Sequence, residues 1–511
     1  MPPLDIVLLV LDTQRVDRLA CYGHQIATSP HLDALAADAT RFRYAVAPAQ
    51  WTVPSHASMF TGVYPIQHGA VQSSSSLPPA LPTVAERLRD AGYYTAAFCN
   101  NPVVGVVNNG LRRGFRSFLN YSGLLTSRPN QAGARSAPLD RYRQWFKQRV
   151  VALLNRVQDS FARSEALLAF SFTPLMVPLW QTALSFKGNT PKSLADAARL
   201  LIERRGLERD QPAFAFINLM GAHMPYHPPR HEVQRFAPDL LRSAAARRFL
   251  RRFNSDVLGW LAPLADELAP EQLTLLQGMY NAEVAAQDAR VGAFVQQLRD
   301  HGALDRTLLV VCADHGEHLG EKHFIGHTVS LYNQLIHVPL LIRDPAGAFA
   351  RGGAVDQVVS LRRLFHTMLT AAGAATPHER RFSLEHTGAS DPDGGVALAM
   401  ATPLTNVQSL LRQRQPKLVA KYRTDQLRRA VWRGRYKLIQ TGDDGLELFD
   451  VVDDPTEQTN LRDMLPEQVD ELRELGQATA GAAIAAPSQA PSTADEDPLV
   501  RHRLRDLGYL E

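Results

Sequence analysis

The chain has 511 residues, 45% hydrophobic and 21% charged, an ordinary globular composition in a chain long enough to bury a large core. Its 55 basic and 51 acidic side chains leave a formal net charge of +4. That balance lacks the concentrated basic excess of a dedicated nucleic-acid binder, so any preference for an anion must come from a local site. Three scattered cysteines, Cys21, Cys99 and Cys312, exclude a disulfide framework and a cysteine-rich zinc site and suit a reducing compartment.

The first apolar run, Ile6–Leu11, is too short for a signal-peptide core and has neither a basic start nor a cleavage motif after it. It reads as a buried strand, and a cytoplasmic location is expected. Helix patterns follow at His31–Asp38, Ala57–Thr61 and Val84–Ala91, then a strand at Thr95–Cys99. A helical insertion is expected over about 125–192. Within it Arg141–Arg163 is basic and amphipathic, as an interfacial membrane helix would be. Ala166–Phe186 carries no charge and is nominally long enough to span a bilayer, but Pro174 and Pro178 break it. A single crossing would also put Thr52 and Asp314 on opposite sides. The segment is therefore read as packed on the main domain, with peripheral membrane contact through 141–186 as the alternative.

Strand patterns at Phe214–Leu219, Thr307–Cys312 and Val338–Ile342 flank a long helix at Met279–Leu298. The alternation predicts a large three-layer α/β/α sandwich around a mostly parallel sheet, which binds ligands beyond the carboxyl ends of its strands. Near residue 415 the texture changes to short strands, Lys417–Tyr422, Arg429–Gln440 and Leu446–Val452. These predict a small C-terminal α+β subdomain carrying an antiparallel sheet. The expected division is a catalytic domain over 1–414, the subdomain over 415–477, and a linker with a docking helix over 478–511. The linker is the Ala-, Pro- and Ser-rich stretch 478–498.

Three islands carry chemistry. Asp12 ends the first strand, where metals and phosphates bind; a helix cap is the plainer reading. In TVPSHASMFTG, Thr52–Gly62, Pro54 suits a first helical position, which would set the Thr52 hydroxyl beside unpaired N–H groups at a helix start. A plain threonine cap is again the alternative. ADHGEHLGEKHFIGH, Ala313–His327, follows a strand and packs Asp314, His315, Glu317, His318, Glu321, His323 and His327 into one loop. Such a mixture of carboxylates and imidazoles suits a divalent ion better than a solvated loop.

Together these islands resemble the sulfatase branch of the alkaline-phosphatase superfamily, and the resemblance runs along nearly the whole chain. LVLDTQRVDRLACYG is similar to its first metal-binding strand and turn, and WTVPSHASMFTG to its Cys/Ser-x-Pro-Ser-Arg nucleophile motif. NLMGAHMPYHPP looks like its His-x-Pro loop. ADHGEHLGEK with SLYNQLIHVPLLI resembles its second metal motif, and RRAVWRGRYKLIQ with LELFDVVDDPTEQTNL its C-terminal subdomain. The resemblance implies Asp12, Asp314 and His315 as ligands of one divalent ion (Ca, Mn, Mg or Zn), with a second ion conceivable through His223, His227 or His327. It implies Thr52 as nucleophile, His223 as the group that binds substrate or protonates the leaving alcohol, and His327 against the transferred group. His56, in place of the motif arginine, and Asn100 and Asn101, in place of a lysine–histidine pair, become the substrate-binding candidates. Thr13 replaces a second aspartate.

True sulfatases of this type oxidise the motif cysteine or serine to formylglycine, which threonine cannot yield. Threonine nucleophiles in the superfamily move phosphorus. The expected activity is therefore hydrolysis of phosphodiester or phosphonate esters through a covalent threonine intermediate. The alternatives are a sulfuric ester hydrolase, a phospho-group transferase to a glycan or lipid acceptor, and a non-catalytic metal-dependent binding protein. The expected partner is a small-molecule, lipid or glycan ester, not nucleic acid.

Overall fold

The computed structural model describes residues 3–485 apart from 73–74, 106, 108, 123–186, 205, 209, 256–259, 261, 328, 406–407, 409–410 and 413–414. The expected insertion up to residue 186, including its basic and charge-free stretches, and the tail beyond 485 lie outside the described residues. Among the described residues no helix is long and apolar enough to cross a membrane.

The strands in chain order are β1 (Asp5–Leu11), β2 (Thr40–Val46), β3 (Tyr94–Cys99), β4 (Ser117–Asn120), β5 (Ala213–Leu219) and β6 (Thr307–Cys312). Then come β7 (His318–Leu319), β8 (Ile325–Gly326), β9 (His337–Val338), β10 (Leu340–Arg343) and β11 (Ala354–Ser360). The last four are β12 (Val396–Ala401), β13 (Arg428–Arg433), β14 (Tyr436–Thr441) and β15 (Gly445–Asp450). The main sheet runs β11-β2-β10-β6-β1-β5-β3-β4, with β9 added on β2. Its centre is parallel, and β10 runs antiparallel between β6 and β2.

β1 lies in the middle because all seven of its residues can be buried, as a strand covered on both faces requires. Its side chains alternate between two cores. Ile6, Leu8 and Val10 join the cluster beneath the helix Thr52–Thr61, while Val7, Leu9 and Leu11 join the one beneath the helix Pro270–Asp300. The expected α/β/α sandwich is the observed fold, and the expected strand at Val338–Ile342 is divided at Pro339, which has no N–H for the ladder.

The second sheet is antiparallel, β12-β13-β14-β15. Lys417–Tyr422, expected as a strand, is instead part of a helix, Pro416–Tyr422, because Pro416 opens it and Arg423 closes it in the left-handed region (φ 50°). Arg429–Gln440 is a hairpin, β13 turning into β14 at Gly434. The edge strand β12 comes from residues ahead of 415. A helix, Pro466–Ala485, runs into the stretch expected as linker, as its alanines favour.

Candidate active site

The parallel centre of the sheet delivers its chemistry at one edge, past the carboxyl ends of β1, β3, β5 and β6. Asp12 directly follows β1, Asn100 and Asn101 follow β3, the loop with His223 follows β5, and Asp314 and His315 follow β6. Ligand atoms of Asp12, Asp314 and His315 lie within 4.8 Å of one another, and all three residues are buried.

Whether these residues fit a cation can be judged from their unmet bonding. Asp12 Oδ2 accepts from Asn101 Nδ2 (2.6 Å) and Asn218 Nδ2 (3.4 Å), while Asp12 Oδ1 has no partner. Asp314 Oδ1 accepts from the backbone of Thr13 (3.4 Å) and His315 (3.0 Å), while Asp314 Oδ2 has no hydrogen bond. Thr13 Oγ1 and Asn218 Oδ1 are further buried oxygens without partners. Orphaned buried oxygens cost free energy unless something satisfies them. His315 Nδ1 donates to Gly316 O (2.9 Å), which leaves the Nε2 lone pair turned to the carboxylates, the orientation a metal-binding imidazole needs. Oxygen-rich donors with one imidazole fit a hard divalent ion.

The charges agree. Burial pushes the Asp12 carboxyl up, but His223, His315, Asn101 and His56 outweigh it and hold the group below the usual range. Burial, reinforced by the Asp12 charge, drives Asp314 well above that range. Burial holds His315 well below 6.5, as a neutral ring. Two buried carboxylates in mutual conflict are what a bound cation would reconcile.

Thr52 opens the helix Thr52–Thr61 and sits within its first turn. Trp51, extended at φ −148°, is the residue before it. The sequence expectation of Pro54 at the first helical position is corrected: the helix begins two residues earlier, and the first turn tolerates the proline because its N–H groups have no intrahelical partner. The Thr52 hydroxyl is 3.3 Å from His315 Nε2 and 3.5 Å from Asn101 Nδ2. Ser55 Oγ donates to Asp314 O (2.7 Å) and ties this helix to the metal loop. Thr13, with φ 59°, is held in the left-handed region by Tyr280, whose hydroxyl donates to Thr13 O (2.6 Å). Strain of this kind collects beside functional groups.

The substrate-binding candidates are placed differently from one another. Asn101 reaches both Asp12 and Thr52. Asn100 is fully buried and occupied: it donates to Ser193 Oγ and Asn218 O (2.8 Å each) and accepts from Asn189 N (2.7 Å). His56 is also buried. Its Nδ1 donates to Thr52 O (2.9 Å) and lies 3.4 Å from Asp314, while its ring packs edge-on against Phe60 and Phe216.

The loop 313–327 divides its seven carboxylate and imidazole side chains by partner. Asp314 and His315 face the cation position. Glu317 is buried with Oε1 accepting from His327 Nδ1 (2.8 Å) and Oε2 from Met224 N (3.0 Å) and Tyr226 OH (3.1 Å). Burial raises this carboxyl, yet the His327 bond and its neighbours hold it below the usual range. His318 meets Ser330 Oγ (2.6 Å), Glu321 pairs with Arg15 (2.7 Å), and the His323 ring lies tilted against that of Tyr422 at 5.8 Å. Gly316 is required by close approach: a Cβ there would lie 2.0 Å from Gln334 O. The His327 ring sits 4.6 Å from that of His315 and 5.0 Å from that of His223. His223 Nδ1 donates to Met224 O. His227 is exposed beside Lys187 and Glu283, and among the described residues the metal-capable group is Asp12, Asp314 and His315 alone. The role of Glu317 as a bridge between both histidine loops was not readable in advance, although its place in the third island was.

Comparison with known proteins agrees with this geometry. The sulfatase family profile matches residues 5–374. The chain is similar to an arylsulfatase of Clostridium perfringens (22% identity, covering 73% of this chain and 76% of the other). It is also similar to a steryl-sulfatase of Rattus norvegicus (25%, covering 74% and 68%). Among solved structures it resembles the phosphonate monoester hydrolase of Agrobacterium radiobacter (TM-score 0.62, 20% identity, covering 93% and 96%). Another similar structure is described as a complex with its substrate D-glucosamine-2-N,6-O-disulfate (TM-score 0.65, 16% identity, covering 96% and 100%). With the family profile spanning the sheet and all of the metal-capable residues, the chain is a hydrolase of the sulfatase family, within the alkaline-phosphatase superfamily.

Proposed function

We propose that the chain hydrolyses sulfate esters, with Thr52 as nucleophile at a single divalent-metal centre. The observation that carries the reading is the Thr52 hydroxyl, 3.3 Å from a ligand of that centre at the start of a buried helix. Family membership and the sulfatases among its relatives favour sulfur over the phosphorus expected from the threonine.

Asp12, Asp314 and His315 would hold the cation, which supplies Lewis acidity toward an ester oxygen and lowers the pKa of a nearby hydroxyl. Thr52 Oγ gives its proton to solvent water and bonds to sulfur as the bond from sulfur to the alcohol oxygen breaks. The departing alkoxide takes a proton from His327 or His223, which share one ring contact. His327 is the better placed donor, because its Nδ1 bond to Glu317 at 2.8 Å fixes the ring and turns the other nitrogen free. Water oxygen then bonds to sulfur as the bond from sulfur to Thr52 Oγ breaks; one of its protons returns to Thr52 Oγ, the other restores the histidine, and sulfate leaves. Asn101 binds Asp12 and Thr52 and orients both, whereas His56 acts from beneath as a positioning residue.

A second reading, a phosphonate or phosphodiester hydrolase, is favoured by the threonine itself and by the similarity to a phosphonate monoester hydrolase. The deciding experiment compares 4-nitrophenyl sulfate, phosphate, phenylphosphonate and bis-4-nitrophenyl phosphate under Ca, Mn, Mg and Zn. The highest kcat/KM is expected on the sulfate. A phosphonate or diester turned over at least about 10-fold better would establish the second reading. No turnover of any ester by metal-loaded protein would overturn both.

A further inference from the structure

A second charged recess lies where the loop after the metal ligands meets the C-terminal sheet. Its volume is about 490 Å³, and Lys322, Lys421, Arg423, Arg428 and Arg462 line it with Glu447 as the one acid among them. Glu447 is engaged by the Tyr332 hydroxyl (2.9 Å). Arg423 and Arg462 have acidic neighbours, Asp444 and Asp463, whose side chains are 83% and 84% exposed. Pairs so open to water are screened and leave the cations available.

The floor of the recess is more deliberate than its rim. Arg428, on β13, is buried, and one N–H of its guanidinium donates to Tyr422 O (2.6 Å). Lys322 is held over the rings of Tyr332 (5.4 Å) and Phe449 (5.5 Å). Tyr422 Oη and His323 Nδ1, buried polar atoms on residues of the same wall, have no partner in the protein. Lys322 and His323 are both left-handed, φ 55° and 64°, conformations that side-chain-bearing residues hold only where their surroundings impose them.

We propose that this recess is a second oxyanion-binding site, taking a sulfate, phosphate or carboxylate group apart from the metal centre. A guanidinium fork flanked by ammonium and phenol groups is suited to oxyanion recognition. The recess backs onto the reactive loop: the His318 ring lies 5.5 Å from Phe324 and 6.2 Å from Tyr332 in its wall. The oxyanion is either a second charged substituent of the substrate or a free ion. The site does not rest on the proposed reaction, because binding at it is read without turnover; only the arm that identifies a free ion uses turnover.

The test is calorimetric titration of the full chain with sodium sulfate and sodium phosphate at constant ionic strength. Four proteins are compared: wild type, Asp12→Asn, Lys421→Gln/Arg462→Gln and Arg428→Gln. Binding is expected to persist in Asp12→Asn, to weaken at least about 10-fold in the double variant, and to vanish in Arg428→Gln. Both residues of the double variant are exposed, so it decides the matter even where Arg428→Gln does not fold. Binding unchanged in the double variant, or lost with Asp12→Asn, would overturn the proposal. Two further arms identify the source. Tighter binding of a doubly sulfated sugar than of inorganic sulfate at this site marks a substrate substituent. A change in kcat on 4-nitrophenyl sulfate when inorganic sulfate is added, absent in the double variant, marks a free ion.

Discussion

At the scale of single residues, the reaction proposed for Thr52 separates chemistry from metal binding. Its hydroxyl neighbours His315 but is not one of the three metal-capable residues. Thr52→Ala should therefore lose roughly 10³-fold or more in kcat while retaining metal, and Thr52→Ser should keep measurable turnover. Steady-state kinetics with metal analysis checks both, and intact mass after rapid quench should show the adduct on Thr52. Glu317 offers a second test. Glu317→Gln keeps the side chain's shape but removes the charge that fixes the His327 ring, so kcat should fall about 10²-fold. The loss should be larger for esters with poor leaving groups; an equal loss on activated and unactivated esters would assign Glu317 to packing. Asp12, Thr52, Asp314 and His315 were legible because each stands at the end of an apolar run or the start of a helix. The engagement of Asn100 and the burial of His56 were not, since both depend on partners such as Asn189 and Phe216 far away in sequence.

At the scale of elements, legibility followed hydrophobicity. β1, β3, β5 and β6 are continuous apolar runs and could be read directly. β2 was passed over because Arg41 and Arg43 interrupt it, although its alternate residues Thr40 and Phe42 are buried. The segment Pro416–Tyr422 misled because its short apolar core fits either period. The helix Pro65–His68 carries a testable acid sensitivity. His68 is buried as a neutral ring, with Nδ1 accepting from Ala70 N (3.1 Å) and Nε2 meeting Ser58 Oγ (3.0 Å). Burial holds it down to about 3 from 6.5. The folded state thus binds this proton less readily than the unfolded one. The stability it confers is complete above pH 6.5 and is lost as pH falls toward about 3, at about 1.4 kcal/mol per pH unit. Denaturation midpoints measured from pH 7 to 4 should fall less steeply in His68→Asn than in wild type.

At the scale of the whole molecule, the two orphaned carboxylate oxygens make the cation a structural member as well as a chemical one. Chelation should lower Tm, and reloading should restore it, with a stabilisation of about 2.7 kcal/mol at a metal concentration 100 times Kd. Scanning calorimetry with EDTA, Ca, Mn, Mg and Zn would also rank the ions. A Tm indifferent to all of them would contradict the metal assignment. The family and the sandwich were visible from ordered motifs. The seam between the sheets was not, because its fastening is tertiary. Lys437 on β14 and Glu457 form an ion pair with both side chains fully buried, and both hold Asn333, just beyond the reactive loop (2.7 Å each).

The edge strand β12 adds a different tie. Met400 N donates to Pro48 O (2.9 Å), and Ala49 and Met400 form a parallel bridge, three residues before Thr52. The smaller sheet is thereby tied to the stretch of chain that leads into the helix Thr52–Thr61. Opening of the smaller sheet is therefore expected to slacken the approach to Thr52, so that damage to the remote sheet should lower the proposed activity without touching a ligand of the metal.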